Sequence, residues 1–234
     1  MEDHMHQFAY ETLRAFALTH NYNQWIYEAF EPYLGKTVME IGCGIGNMSR
    51  LFLRSCEKLI GIDTSDIFIK HLKIDYPELE LYNYDIAGSE VLELKDKNID
   101  TVVCINVLEH VEDDTRALEN VHRILGRNGH FLIFVPALKG LYGTIDKNVS
   151  HYRRYDKNAL KGKLESVGFV IEKIYYSNLI GVFGWFLNGK ILKRKTFPIL
   201  QPMVFDKLVP LISKLEKFID LPFGMNLIVV ATKR

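Results

Sequence analysis

Neither charge dominates this sequence: 29 lysines and arginines stand against 29 aspartates and glutamates in 234 residues. Without an overall basic field the chain has no general grip on a phosphate backbone, so no nucleic-acid partner is expected. Cysteine is scarce, and Cys43, Cys56 and Cys104 form no paired spacing. That pattern argues against a disulfide framework and for a reducing, cytoplasmic compartment. No apolar run reaches the roughly 20 residues that cross a bilayer, the N-terminus lacks the continuous apolar core of a secretory signal, and there is no internal repeat. What is present is apolar content, 48% of residues, enough to bury the core of one large domain or of a domain with a lid.

The most informative run is Val38-Met39-Glu40-Ile41-Gly42-Cys43-Gly44-Ile45-Gly46-Asn47, in which an apolar strand carrying Glu40 opens into three alternating glycines. Glycines suit a backbone that turns tightly beside a ligand, and the helix that follows offers its free N–H groups to that ligand. A dinucleotide fingerprint wants a third glycine or alanine at position 47, where Asn47 stands, so a nicotinamide oxidoreductase is disfavoured. A bare strand-to-helix turn remains the alternative for the glycines alone. Downstream, the buried-strand pattern of 58–63 ends in Asp63, about 20 residues past the first glycine, where a doubly wound sheet sets an acidic group beside a ribose. A carboxylate there accepts both ribose hydroxyls; as a plain helix cap it would serve the Thr64-Ser65-Asp66 turn.

At the E-x-G-x-G-x-G spacing the chain resembles the class I S-adenosylmethionine-dependent methyltransferases. The resemblance covers roughly residues 36–176 and the last strand. It implies a doubly wound, seven-stranded, mostly parallel Rossmann-like sheet of order 3-2-1-4-5-7-6 with the last strand antiparallel, binding S-adenosylmethionine and releasing S-adenosylhomocysteine. It further implies that Glu40, Gly42, Cys43, Gly44, Gly46, Asp63 and Thr64 hold the cofactor. By the same resemblance, Asp85 is expected to take the adenine amino hydrogen, Ile86 to pack on the ring, and Asn106-Val107 to pass under the methionine part. The Asn/Asp-Pro-Pro-aromatic run of base-amine methylases and the Pro-Cys of thiolate-dependent ones are absent here. Cys104 reads as a small core residue.

Alternating strand and helix patterns run to about residue 136, which places helices on both faces of a parallel sheet. A helical pattern at Leu118, Val121 and Leu125 stops at Gly126, strands are expected over 79–84 and 130–135, and a helix over 48–54. One domain is expected, with an N-terminal helical cap over 1–34, a cofactor-binding core over 35–177, a helical lid or insertion over 178–223 and a final strand over 224–234.

Substrate information lies outside the cofactor frame. Tyr22 and Trp25, on a helix before the first strand, either flank the methionine end of the cofactor or pin that helix to the sheet. After the fifth strand, at the edge where open α/β sheets bind ligands, Tyr142, His151, Arg153 and Arg154 crowd one loop. In the insertion an apolar run around Trp185 precedes the basic Lys190, Lys193, Arg194 and Lys195. Phe205, Leu208, Ile212, Leu215 and Ile219 then share one helical face, with Pro210 as a bend. The insertion is either a packed lid or an apolar face for a lipid-like substrate, a membrane surface or a second subunit.

The expected activity is methyl transfer to a small or lipid-linked acceptor, without a metal or a covalent intermediate, because holding acceptor and methyl in line is worth roughly 7 to 11 kcal/mol. A hydroxyl acceptor calls for a base, and His110 or His151 is the candidate because the intrinsic pKa of histidine lies near neutrality. A catalytically silent cofactor-binding protein is the alternative.

Overall fold

In a computed structural model, Tyr10 and residues 13–194 and 200–234 are described. Seven strands, β1 (Thr37–Ile41), β2 (Lys58–Ile62), β3 (Glu80–Tyr82), β4 (Ile99–Ile105), β5 (Leu125–Pro136), β6 (Phe169–Ser177) and β7 (Asn226–Lys233), form one sheet of order 3-2-1-4-5-7-6. The first five are parallel, and β7 runs antiparallel between β5 and β6.

Alternate residues along each strand serve two separate cores, as the two-residue period of a strand requires. Val38, Val103, Leu132 and Ile228 pack with Ile26, Tyr27 and Phe30 of α1 (His20–Phe30), with α2 (Ser49–Phe52) and with Leu72 of α3 (Asp66–Asp75). Their neighbours Met39, Val102, Ile133 and Val229 pack with α4 (Asp114–Ile124) and α6 (Lys157–Val167), α5 (Thr144–Asn148) lying in the loop between them. Both faces being covered, the strands read as near-continuous apolar runs.

Element types follow the sequence expectations and boundaries shift. The helix expected over 48–54 is a four-residue turn, and β3 is shorter than 79–84. The fourth helix ends at Ile124 rather than at Gly126, because Leu125 already pairs with Ile99 and the chain enters β5 directly.

The segment between β6 and β7 contains α7 (Leu179–Trp185), a π-helical turn (Phe186–Ile191) and α8 (Leu200–Glu216). The α8 helix runs through Pro210. Its faces divide the residues expected on one side: Ile212 is buried with Asp206 and Val209, whereas Leu208, Leu215 and Ile219 face solvent. The reason is electrostatic. Thr19, at the N-cap position of α1, makes no side-chain cap bond, and the carboxylate of Asp206 takes over, accepting from Tyr22 N (2.8 Å) and Asn21 N (3.3 Å). A helix N-terminus with unsatisfied N–H groups favours such an anion. Glu216, at the other end of α8, accepts from Asn178 N (2.8 Å) and Leu179 N (2.9 Å) and so caps α7. One helix of the insertion therefore fastens both the N-terminal helix and its own neighbour through carboxylates. Lys195 lies outside the described residues.

Asp206→Ala removes the cap of α1 and should lower unfolding stability by about 1–2 kcal/mol in chemical denaturation, with Asp206→Asn recovering most of it.

Candidate functional site

The turn after β1 is held in a backbone that side chains resist. Gly42, Gly44 and Gly46 have φ of 72°, 51° and 82°, the left-handed region open mainly to glycine. A Cβ at Gly42 would stand 2.4 Å from Val107 Cγ2, and one at Gly46 would stand 2.6 Å from Leu72 Cδ1. The loop therefore packs directly against the segment that follows β4. Asp63 clasps it from β2, its carboxylate accepting from Gly44 N (2.8 Å) and Ser65 N (2.8 Å). These bonds occupy two of the four or so acceptor positions of a carboxylate. The expected ribose acceptor thus also sets the shape of the loop. Glu40 does not project into the cleft. It is buried, and Ser49 Oγ donates to its Oε2 (2.5 Å), which ties β1 to α2. Burial pushes its carboxyl up to about 8.

The other expected cofactor residues collect at the same carboxyl edge of the sheet. Cys43 is buried in the loop; Thr64 and Asp85 are exposed, with Asp85 Oδ1 accepting from Ala87 N (2.9 Å). Ile86 is buried, and its carbonyl accepts from Asn120 Nδ2 (2.8 Å). Asn106 is exposed in a left-handed conformation at the end of β4. A left-handed glycine cradle closed by Val107, with acidic groups at the ends of β2 and β3, fits an adenosyl cofactor.

Next to Val107 lies a buried polar corner. Glu109 and Asp146 are fully buried, Arg154 nearly so, and His151 is mostly enclosed. Asp146 gathers four donors: His151 Nδ1 (3.0 Å) and Arg154 Nε (2.7 Å) on Oδ1, and Gly143 N (2.8 Å) and Trp185 Nε1 (3.1 Å) on Oδ2. Burial opposes ionisation of Asp146, yet the bonds from His151 and Arg154 outweigh it and hold its pKa below the usual range. Arg154 also donates to Ala137 O (3.0 Å), and its guanidinium stacks 4.4 Å from the Trp185 ring centroid. His151 Nε2 faces Glu109 Oε1 at 3.9 Å, and the His110 ring meets that of His151 edge-on at 4.7 Å between centroids. Burial pushes the Glu109 carboxyl up to about 8.

Several expected substrate residues have structural partners instead. Arg153 donates to Asp114 Oδ1 (2.8 Å) and to the Glu112 carbonyl (2.6 Å), bolting the loop to α4. Arg154 is enclosed with Asp146 and does not reach solvent. Tyr142 closes the loop, its hydroxyl donating to His151 O (2.7 Å). Tyr22 packs edge-on against Trp25, Phe134 and Phe205, which is the pinning alternative for these aromatics. Cys104 is buried and its thiol pKa is pushed up by burial, in keeping with a core role. The sequence reading missed Asp146 altogether. Its signal was the five-residue interval to His151 across a short helix.

Because the Glu40 pKa is raised in the folded state, its contribution to stability is complete below about 4.5 and is lost as pH rises through about 8. Denaturation midpoints measured at pH 6 and pH 9 should fall more steeply in the wild type than in Glu40→Gln.

Residues 39–133 match the family described as methyltransferase domain. A probable S-adenosylmethionine-dependent methyltransferase of Mycolicibacterium smegmatis is 29% identical over 151 residues, covering 64% of this chain and 56% of that protein. The ubiquinone biosynthesis O-methyltransferase of Coxiella burnetii is 28% identical over 119 residues, covering 50% of this chain and 47% of that one. The chain thus spans about half the length of the curated relatives it matches. Among solved structures, methyltransferases from Archaeoglobus fulgidus (20% identity, 88% and 91% coverage, TM-score 0.60) and Corynebacterium glutamicum (18%, complete coverage of both chains, TM-score 0.62) share the fold. Residues 39–133 thus carry a methyltransferase domain, and the chain as a whole shares the fold of S-adenosylmethionine-dependent methyltransferases and is similar to them in sequence.

Proposed function

We propose that the protein transfers a methyl group from S-adenosylmethionine to a small acceptor of apolar or lipid-linked character. The observation that carries this reading is the direct packing of the glycine loop on Val107, two residues from the buried Glu109–His151 corner. One edge of the sheet thereby holds both a cofactor cradle and a polar site for an acceptor atom. When bound, the cofactor supplies an electrophilic methyl on a sulfonium that leaves readily. The protein's own contribution is placement, since fixing two reactants in line can supply roughly 7–11 kcal/mol. The glycine loop, Asp63 and Asp85 hold the nucleoside, and Asn106 and Val107 border the methionine end. The Glu109, His110 and His151 corner receives the nucleophilic atom of the acceptor.

The apolar character of the acceptor rests on the insertion. Ile180, Phe183, Leu187 and Ile191 are exposed at helical spacing, as are Leu200, Val204, Leu208, Leu211 and Leu215. Phe183 is 65% and Leu211 63% exposed. Soluble monomers rarely leave contiguous apolar patches of this kind uncovered. Lys190, Lys193, Lys207 and Lys214 are exposed along the same elements, and basic residues beside an apolar stripe favour an anionic lipid surface. Trp185 points the other way, onto Asp146, so the lipid-facing insertion borders the acceptor corner. No helix among the described residues is long and apolar enough to cross a membrane, which leaves contact from one side.

Replacing Gly44 with Val or Asp63 with Ala should weaken S-adenosylhomocysteine binding measured by calorimetry about tenfold or more, the scale of one lost charged hydrogen bond. His151→Asn should instead depress turnover while leaving that affinity nearly unchanged. Unaltered binding in both cradle variants would remove the cofactor assignment.

Co-sedimentation with anionic vesicles at low salt should be substantial for the wild type. It should weaken in Lys190→Glu with Lys193→Glu, and independently in Phe183→Ser with Leu211→Ser. A wild type that stays in the supernatant would confine the acceptor to soluble small molecules.

A further inference from the structure

We propose that Glu109, His110 and His151 bind a divalent transition-metal ion, with Asp146 as the residue that orients the His151 ring. Among the described residues, these three form the one cluster of three histidine, cysteine or acidic side chains whose donor atoms all lie within 4.8 Å of one another. Two imidazoles and a carboxylate are a donor set suited to zinc, iron, cobalt and related ions, and three protein ligands leave coordination positions open.

The second observation concerns what is missing around Glu109. Its side chain is completely buried, yet neither Oε1 nor Oε2 has a hydrogen-bond partner. A buried carboxyl with no partner on either oxygen carries a large desolvation penalty. His151 Nε2 faces its Oε1 at 3.9 Å, too far for a hydrogen bond. An ion between them would satisfy the carboxylate and the imidazole together. Typical metal–ligand bonds of about 2.0–2.2 Å put neighbouring donors about 3–3.5 Å apart, so side-chain movements on the order of 1 Å close the site.

The outer partners agree with this assignment. A histidine that ligates a metal commonly gives its other ring N–H to a carboxylate, which fixes the tautomer. Asp146 Oδ1 lies 3.0 Å from His151 Nδ1, so the Nδ1 proton is held there and the Nε2 lone pair is turned towards Glu109. Asp146 is in turn immobilised by Arg154, Gly143 and Trp185. Arg154 is paired with Asp146 at 2.7 Å and makes no hydrogen bond to Glu109. His110 is exposed, which gives an ion a route from solvent.

A role for the ion rests on the methyl-transfer reading. At an open coordination position the ion would take the oxygen of a hydroxyl acceptor and lower its pKa. The hydroxyl proton passes to water, the new O–CH3 bond forms as the S–CH3 bond breaks, and the cofactor leaves as a neutral thioether. With the ion bound, His151 Nε2 is a ligand and not the base.

The site is tested on the full chain, stripped with a chelator, without cofactor or acceptor. Titration with Co2+ should give saturable visible absorption bands of a nitrogen–oxygen site, displaced by Zn2+. His110→Ala, at an exposed position, and Glu109→Gln should each abolish the bands or weaken binding at least about tenfold, and Asp146→Asn should weaken it about 10–100-fold. Circular dichroism and S-adenosylhomocysteine affinity should be unchanged in His110→Ala. Absence of saturable binding, or binding equal in wild type, His110→Ala and Glu109→Gln, overturns the site. Because the readout uses neither cofactor nor turnover, that result leaves the methyltransferase reading standing. Failure of cofactor binding in the wild type would strike that reading and leave the metal site untouched.

Discussion

The carboxylate of Asp146 is the fixed point around which the loop after β5 and its contact with α7 are built. It accepts from His151, Arg154, Gly143 and Trp185, which come from the loop after β5 and from α7 in the insertion. A buried carboxylate and guanidinium are costly to desolvate, and each is tolerable only with the other present. Removing Asp146 would strand Arg154 in an apolar enclosure, release the ring of His151 and free Trp185 from its anchor. The His151 tautomer, the closure of the loop and the docking of α7 are therefore consequences of one buried ion pair. This explains why two arginines in that loop are structural. The loop needs internal charge compensation before it can present anything to a ligand.

The glycine turn after β1 was legible in the sequence because its determinants are local. Gly42, Gly44 and Gly46 announce left-handed backbone by residue type, and Asp63 follows at an interval set by one helix and one strand. The order of the sheet followed from resemblance, and its mostly parallel character from the alternation of strands and helices. The acceptor side was not legible to the same degree, since its contacts depend on which way each loop side chain turns. Arg153 and Arg154 are adjacent and of identical chemistry, yet one reaches α4 and the other is sealed inside with Asp146. Nothing in composition or spacing distinguishes them. Asp146 itself reads as an ordinary loop acid until the fold brings four donors to it.

The α8 helix shows a different limit. Its apolar residues lie on more than one side, so helical spacing alone admitted several inward faces. The face that packs is the one carrying Asp206, a charge that a hydrophobicity pattern assigns to solvent. Its burial is compensated by the bare N-terminus of α1, more than 180 residues earlier, whose own Thr19 makes no side-chain cap bond. A long-range polar requirement thus overrode the local apolar pattern and turned Leu208 and Leu215 outward.

That inversion connects the fold to the kind of acceptor. Had α8 packed by its leucines, the insertion would be an ordinary lid with a charged exterior. Because Asp206 and Glu216 commit the helix to capping its neighbours, the apolar stripe of α8 is left outside, and Phe183 and Ile180 of α7 are exposed as well. The inner side of the same insertion carries Trp185 to Asp146. On the proposed reading, a molecule held by its apolar part on the outer surface approaches the polar corner where Glu109, His110 and His151 converge. On that reading, the caps that hold the helices in place also set the distance between an apolar tail and the reacting head group, a restriction on acceptor length that the cofactor motifs do not impose.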